Sequence, residues 1–225
     1  MTDLTLSDLH APRSIQVADR VEHTCVLGPG CRAGVWCQGC PLRCPGCISP
    51  AFLPFAGGEQ WLVTDLADWL VALPDIDGAT FSGGEPFAQA GALAALIDEV
   101  RSRRDLSMMA YSGFTIEHLR RAGDADQRRL LERLDLLVDG PYVESQHGSL
   151  RWRGSANQRL HILTDRHADL AGQTDETAGL EASVRQDGSF GVIGVPPVPH
   201  FTTLLADRLG AAGIHTDLIP AEDTP

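Results

Sequence analysis

The chain has 225 residues, 43% hydrophobic and 21% charged, which fits one globular domain with its own core. Its formal net charge of −12 argues against a nucleic-acid surface, which needs a basic stripe, and it contains no apolar run long enough to span a membrane. The first residues lack a basic stretch followed by an apolar one, so a cytoplasmic protein without a signal peptide is expected.

Residues 33–38 (AGVWCQ) predict a short apolar strand. Residues 64–73 predict a helix with Thr64 at its N-cap. The turn signal Asp77-Gly78 precedes a strand over 78–81. Leu93, Leu96, Ile97 and Val100 recur at helical spacing and predict an amphipathic helix over 88–102. A strand follows over 106–111, then helices over 115–122 and 126–134, then a strand over 134–138. Residues 167–180 are small and polar, as in a surface loop. Residues 180–195 alternate around Asp187-Gly188, which predicts a hairpin. A closing helix is expected over 202–213, stopping near Gly210 or Gly213. The β-α-β-α order predicts an α/β fold with a parallel sheet and helical crossovers.

Each apolar strand runs into a polar, chemically loaded stretch. After the first come "CQGCPLRCPGC" (37–47), after the second "SGGEP", after the third "YSGFT" and after the fourth "DGPY". Ligands of α/β sheets sit at the carboxyl ends of parallel strands, so these stretches are expected to meet at one mouth.

All six cysteines fall between positions 25 and 47, whereas a disulfide framework would spread them to close long loops. Cys40, Cys44 and Cys47 have the pattern C-x3-C-x2-C, and Pro41, Pro45 and Gly46 favour a loop over a helix. Three thiolates on such a loop suit an iron–sulfur cube. A zinc site remains an alternative, although the two Cys-x-x-Cys pairs lie closer than a knuckle usually allows. A redox pair leaves Cys40 without a purpose. Packing is the default for Cys25, Cys31 and Cys37.

The triple-cysteine motif with "GGEP" one strand later resembles the radical S-adenosylmethionine superfamily. The words "GPG", "WCQGCPLRCPGC", "FSGGEP", "YSGFT", "LVDGPY" and "RGSANQR" are most similar to the glycyl-radical-enzyme activases, above all the anaerobic ribonucleotide reductase type. The resemblance runs from about Val26 to Pro196. It implies a single radical S-adenosylmethionine domain over 1–225, with its core at about 14–200 and an extension over 201–225. The implied fold is a partial (β/α)6-type barrel, open on one side, with a C-terminal hairpin and helix. Cys40, Cys44 and Cys47 would ligate a [4Fe-4S] cluster whose fourth iron takes S-adenosylmethionine. Reductive cleavage would yield a 5′-deoxyadenosyl radical that takes hydrogen from a glycine of a partner glycyl-radical enzyme. The electron would come from a flavodoxin- or ferredoxin-type donor.

By the same resemblance Gly46 presents its backbone to the adenine. Gly83, Gly84 and Glu85 receive the methionine end, and Tyr111 and Ser112 lie near the ribose or carboxylate. Asp139 contacts cofactor or substrate. A plain β-to-α turn for "SGGEP", a helix-start turn for Ser112 and an Asp-Gly-Pro turn for Asp139 are the structural alternatives. "RGSANQR" reads either as a polar strand with its turn or as a surface near the mouth. The rival functions are radical modification of a peptide or small molecule, and a non-catalytic iron–sulfur or zinc module.

Overall fold

The computed structural model describes residues 13–173, 175–176, 179–184, 190–211 and 213. Four strands form the parallel centre of a seven-stranded sheet: β2 (Arg32–Cys37), β4 (Gly78–Gly83), β5 (Ser107–Ser112) and β6 (Leu136–Asp139). Two antiparallel strands extend one edge, β1 (Ser14–Thr24) beside β2 and β3 (Glu59–Leu62) beside β1. A third, β9 (Arg159–Ile162), closes the other edge against β6. The order is β3-β1-β2-β4-β5-β6-β9. A small ladder joins β7 (His147–Leu150) to β8 (Arg153–Ser155).

Side chains alternate across a strand, and here the two faces have different fates. Val35, Cys37, Ala79, Phe81, Met108, Ala110 and Leu137 point into the main core. The helices α1 (Val63–Ala72), α2 (Ala90–Arg101), α3 (Ile116–Arg121) and α4 (Ala125–Leu131) supply the rest of that core. The alternate residues Met109, Leu136 and Val138 pack with Trp152 in a second, smaller cluster. The buried Arg32 belongs to this second face. Its Nε donates to Thr80 Oγ1 at 2.7 Å, and its Nη atoms donate to Ser107 Oγ and to the carbonyls of Pro29, Ala79 and Ser107.

The helices start where local chemistry allows. Thr115 caps α3 by accepting from the His118 N–H. Asp124 and Gln127 form a reciprocal capping box on α4. A 3-10 turn over Pro86–Gln89 feeds α2, so that helix begins two residues later than its apolar stripe implies. Thr64 is not an N-cap. α1 begins at Val63 with no side-chain cap, and the Thr64 hydroxyl bonds Asp65 instead. The strands β1 and β3 are additions to the sequence reading. Towards the C-terminus, β10 (Leu180–Val184) pairs with β11 (Phe190–Gly194) as the expected hairpin; its Asp187-Gly188 turn lies outside the described residues. The closing helix α5 spans Phe201–Ala211, and Gly213 donates to the Gly210 carbonyl beyond it. The stretch expected as a loop from 167 includes part of a 3-10 turn over Asp165–Leu170. No described helix is long and apolar enough to cross a membrane.

Candidate functional site

The register Cys37↔Gly83 and Ser112↔Asp139 brings the carboxyl ends of the parallel strands level, as the order of motifs implies. Main-chain bonds then knit the loops. Gly84 N–H donates to the Cys37 carbonyl at 2.7 Å, and Glu85 N–H donates to the Gly39 carbonyl at 2.9 Å. The two glycines are required by this approach. Gly83 has φ +99, and a Cβ there would lie 2.5 Å from Cys37 N. A Cβ on Gly84 would lie 2.7 Å from the Gly39 carbonyl carbon and 2.8 Å from Phe52 O. What their missing Cβ atoms admit is the chain itself.

The cysteine loop is fastened at its base. Gly39 N–H donates to Phe52 O at 2.8 Å, and Cys40 N–H donates to Leu53 O at 2.9 Å. The buried Gln38 amide donates to the carbonyls of Pro54 at 2.7 Å, Ala51 at 3.3 Å and Ala56 at 3.4 Å. Residues 38–40 therefore hold the far end of a loop that carries all three motif cysteines. Cys40 is buried; Cys44 and Cys47 are half-buried.

All three cysteines line one cavity of ≈ 230 Å³, together with Gly83, Gly84, Glu85, Tyr111 and Ser112. Burial pushes the Cys44 and Cys47 thiols up, offset in part by the backbone of Tyr142 beside Cys44 and of Ser49 beside Cys47. Metal ligation would displace those protons. Among the described residues, no three His, Cys, Asp or Glu side chains converge to hold a bare metal ion. The motif thiols border a volume. Cys37 faces the other way, into the main core, where burial pushes its thiol up to about 12. Packing is thus its role, as expected.

Glu85 is 1% exposed, and burial pushes its carboxyl up to about 7. Its Oε1 accepts from Phe87 N–H at 2.9 Å and from the Ser112 hydroxyl at 3.0 Å; its Oε2 accepts from Gly113 N–H at 2.8 Å. The carboxylate therefore joins the ends of β4 and β5, and Ser112 also receives Phe114 N–H at 3.0 Å as a turn residue does. Tyr111, one residue earlier, faces the opposite side. Among the described residues its buried Oη has no hydrogen-bond partner, and neither has Trp152 Nε1, another cavity-lining group. Both atoms are closed off from solvent, buried in the smaller core cluster behind the cavity wall.

Two expected residues stand apart from this cavity. Asp139 ends β6, but its carboxylate is fully buried on the helix side. It accepts from Ile116 N–H at 2.6 Å and from Arg159 Nε at 3.0 Å, and His161 Nε2 lies 3.0 Å away. Its neighbour Gly140 lines the cavity instead. Gly46 borders an adjoining recess of ≈ 620 Å³, with the Glu144 carboxylate against its Cα. Tyr142 and Trp152 also line the cavity without having been singled out in the sequence, and "RGSANQR" supplies Gln158, whose role the sequence left open. Gln158 Nε2 donates to Gly140 O at 3.0 Å, and its Oε1 accepts from Gly154 N–H at 2.9 Å. That bridge makes "RGSANQR" a wall of the mouth.

The chain matches the model of the 4Fe-4S single cluster domain over residues 26–161, more than half its length. It is 31% identical over 150 residues to the anaerobic ribonucleoside-triphosphate reductase-activating protein of Vibrio cholerae, covering 62% of this chain and 92% of that one. Identity to the protein of the same name from Haemophilus influenzae is 32% over 147 residues, covering 60% of this chain and 90% of that one. For the Escherichia coli K12 protein the figures are 28% over 149 residues, 61% and 92%.

Proposed function

We propose, for a chain that belongs to the 4Fe-4S single-cluster family of radical S-adenosylmethionine activating enzymes, that Cys40, Cys44 and Cys47 hold the cluster and the adjoining cavity takes S-adenosylmethionine. The single observation that carries this reading is that the three motif cysteines and the Gly83-Gly84-Glu85 turn line one cavity. When bound, the pair supplies reductive cleavage of the sulfonium to a 5′-deoxyadenosyl radical, which takes hydrogen from a glycine of the protein substrate.

The chain's own residues do the positioning. Gln38 and the 39–40 main chain fix the loop that presents the thiols. Glu85 keeps about one lone-pair site free after accepting three hydrogen bonds, so it can also take an ammonium donor. Tyr111 and Trp152 line the cavity with their rings, while their polar atoms are buried behind it. Apolar Leu27, Leu42, Ile48 and Val192 around the same cavity exclude water, which protects a reactive radical from side reactions. In this reading the four parallel strands belong to the wall of a partial (β/α)6-type barrel, and Asp139 and Ser112 act as structural supports.

The relatives' names point to an anaerobic ribonucleoside-triphosphate reductase as the glycyl-radical substrate. A flavodoxin- or ferredoxin-type donor fits the partial exposure of Cys44 and Cys47. The test is anaerobic reconstitution, an iron and sulfide count, and reduction with S-adenosylmethionine present. Formation of 5′-deoxyadenosine is expected, and a glycyl electron-spin signal on adding the host's anaerobic reductase. A four-iron cluster that gives neither product would overturn the reading.

A further inference from the structure

Cys25 and Cys31 stand at the opposite end of β2 from the proposed cluster site. The antiparallel pair β1–β2 ends at Thr24↔Arg32, so the next residues outward along that register are Cys25 and Cys31. Directly opposed residues of antiparallel strands have Cα atoms about 4.5–5.5 Å apart, within the roughly 4.4–6.8 Å that a disulfide spans. Both are free thiols, Cys25 exposed and Cys31 half-buried. Hydrogen bonding to Cys31, then burial, pushes the Cys25 thiol up. Their backbones are pinned independently. Cys25 N–H donates to Glu181 Oε1 and Cys31 N–H to Asp77 Oδ2, both at 2.8 Å.

We propose that Cys25 and Cys31 form a thiol–disulfide exchange site, separate from the motif cysteines, that reacts with small thiol-derived disulfides. The exposed Cys25 thiolate attacks one sulfur of the incoming disulfide and expels one thiolate, leaving a mixed disulfide on Cys25. Cys31 then attacks the Cys25 sulfur and expels the second thiolate. Two protein thiols lose two electrons and two protons, and the incoming disulfide is reduced to two thiols. The six residue steps from Cys31 to Cys37 span about 20 Å of extended chain, so the pair is too remote to exchange directly with the cluster ligands. The enclosed segment is tied to the cavity. Leu27 lines it, and the Leu27 carbonyl accepts from Thr80 Oγ1 at 2.7 Å, the same oxygen that receives Arg32 Nε. Bridging 25 to 31 thus clamps the cavity floor in the oxidised state.

The assignment does not rest on the activase reading. The anaerobically reconstituted holoprotein is equilibrated in glutathione buffers from fully reduced to fully oxidised, alkylated, digested and mapped by mass, with iron counted in parallel. The expected result is loss of alkylation at Cys25 and Cys31 together, a Cys25–Cys31 bridged peptide two hydrogens lighter, and unchanged iron. Cys31→Ser should trap glutathione on Cys25. Cys25→Ser should slow modification of Cys31 by about tenfold or more, because the remaining thiol is less exposed. Persistence of both thiols in pure glutathione disulfide would overturn the proposal. A stable glutathione adduct on wild-type Cys25, or bridging that appears only as iron is lost, would do the same.

Discussion

Glu85 N–H donates to the Gly39 carbonyl at 2.9 Å, which ties the turn after one strand to the residue just before the first motif cysteine. The contact exists because Gly84 lets two main chains meet. Gly84→Ala forces a methyl group against Gly39 and Phe52 backbone atoms, neither of which can swing aside. A loss of about 1–3 kcal/mol or more is expected from such overpacking. Denaturant melts of the apoprotein should show it. Iron bound after reconstitution should fall as well, since the displaced strand end carries the cysteine loop.

Gln38→Met keeps the volume and removes the amide. The carbonyls of Ala51, Pro54 and Ala56 then lose a shared donor, at a cost of about 1–3 kcal/mol for desolvated polar groups. The loss should be local. Proteolysis and hydrogen exchange should quicken over residues 40–56, and cluster loss under chelator should accelerate, with less change across α1 and α2.

The cysteines should divide cleanly. Cys44→Ala and Cys47→Ala are each expected to cut iron retention and abolish 5′-deoxyadenosine formation. Cys37→Ser should retain both, because that side chain lies in the apolar core. It should instead lower apoprotein stability by about 1–3 kcal/mol, from burying a hydroxyl where a thiol packed.

Burial raises the Glu85 carboxyl from 4.5 to about 7. Between those values the folded chain holds this proton more tightly than the unfolded chain does. The stability linked to it is therefore complete below about pH 4.5, declines as pH rises, and levels off above about 7. The size is about 3 kcal/mol at 1.36 kcal/mol per unit. Glu85→Gln should flatten that slope in pH-dependent melts of the apoprotein. Because an amide nitrogen cannot accept from Gly113 N–H, the variant should also be less stable than wild type near pH 5.

The central strands were readable because β2, β4, β5 and β6 are short apolar runs, buried on both faces. The edge strands were not, since β1, β3 and β9 mix polar and apolar residues and draw their pairing from neighbours. Convergence of the cysteines with "GGEP" followed from strand order alone. The displacement of Asp139 from the cavity was also written in the chain. Alternation puts it on the same face as Leu137, towards the helices, and puts Val138 with Tyr111 on the other. Gln38 and Trp152 gave no comparable signal, because their roles come from partners distant in sequence.

Arg32 carries a further consequence. Every hydrogen-bond partner found for its guanidinium is a neutral oxygen, and although burial lowers its proton affinity to about 10, it stays cationic at neutral pH. The charge is fixed at the start of β2, on the side away from the motif cysteines, where the fields of Asp135 and Asp77 favour its protonated form. Dissolved ions cannot reach in to mute it, so its pull on those two carboxylates persists in brine as in dilute buffer.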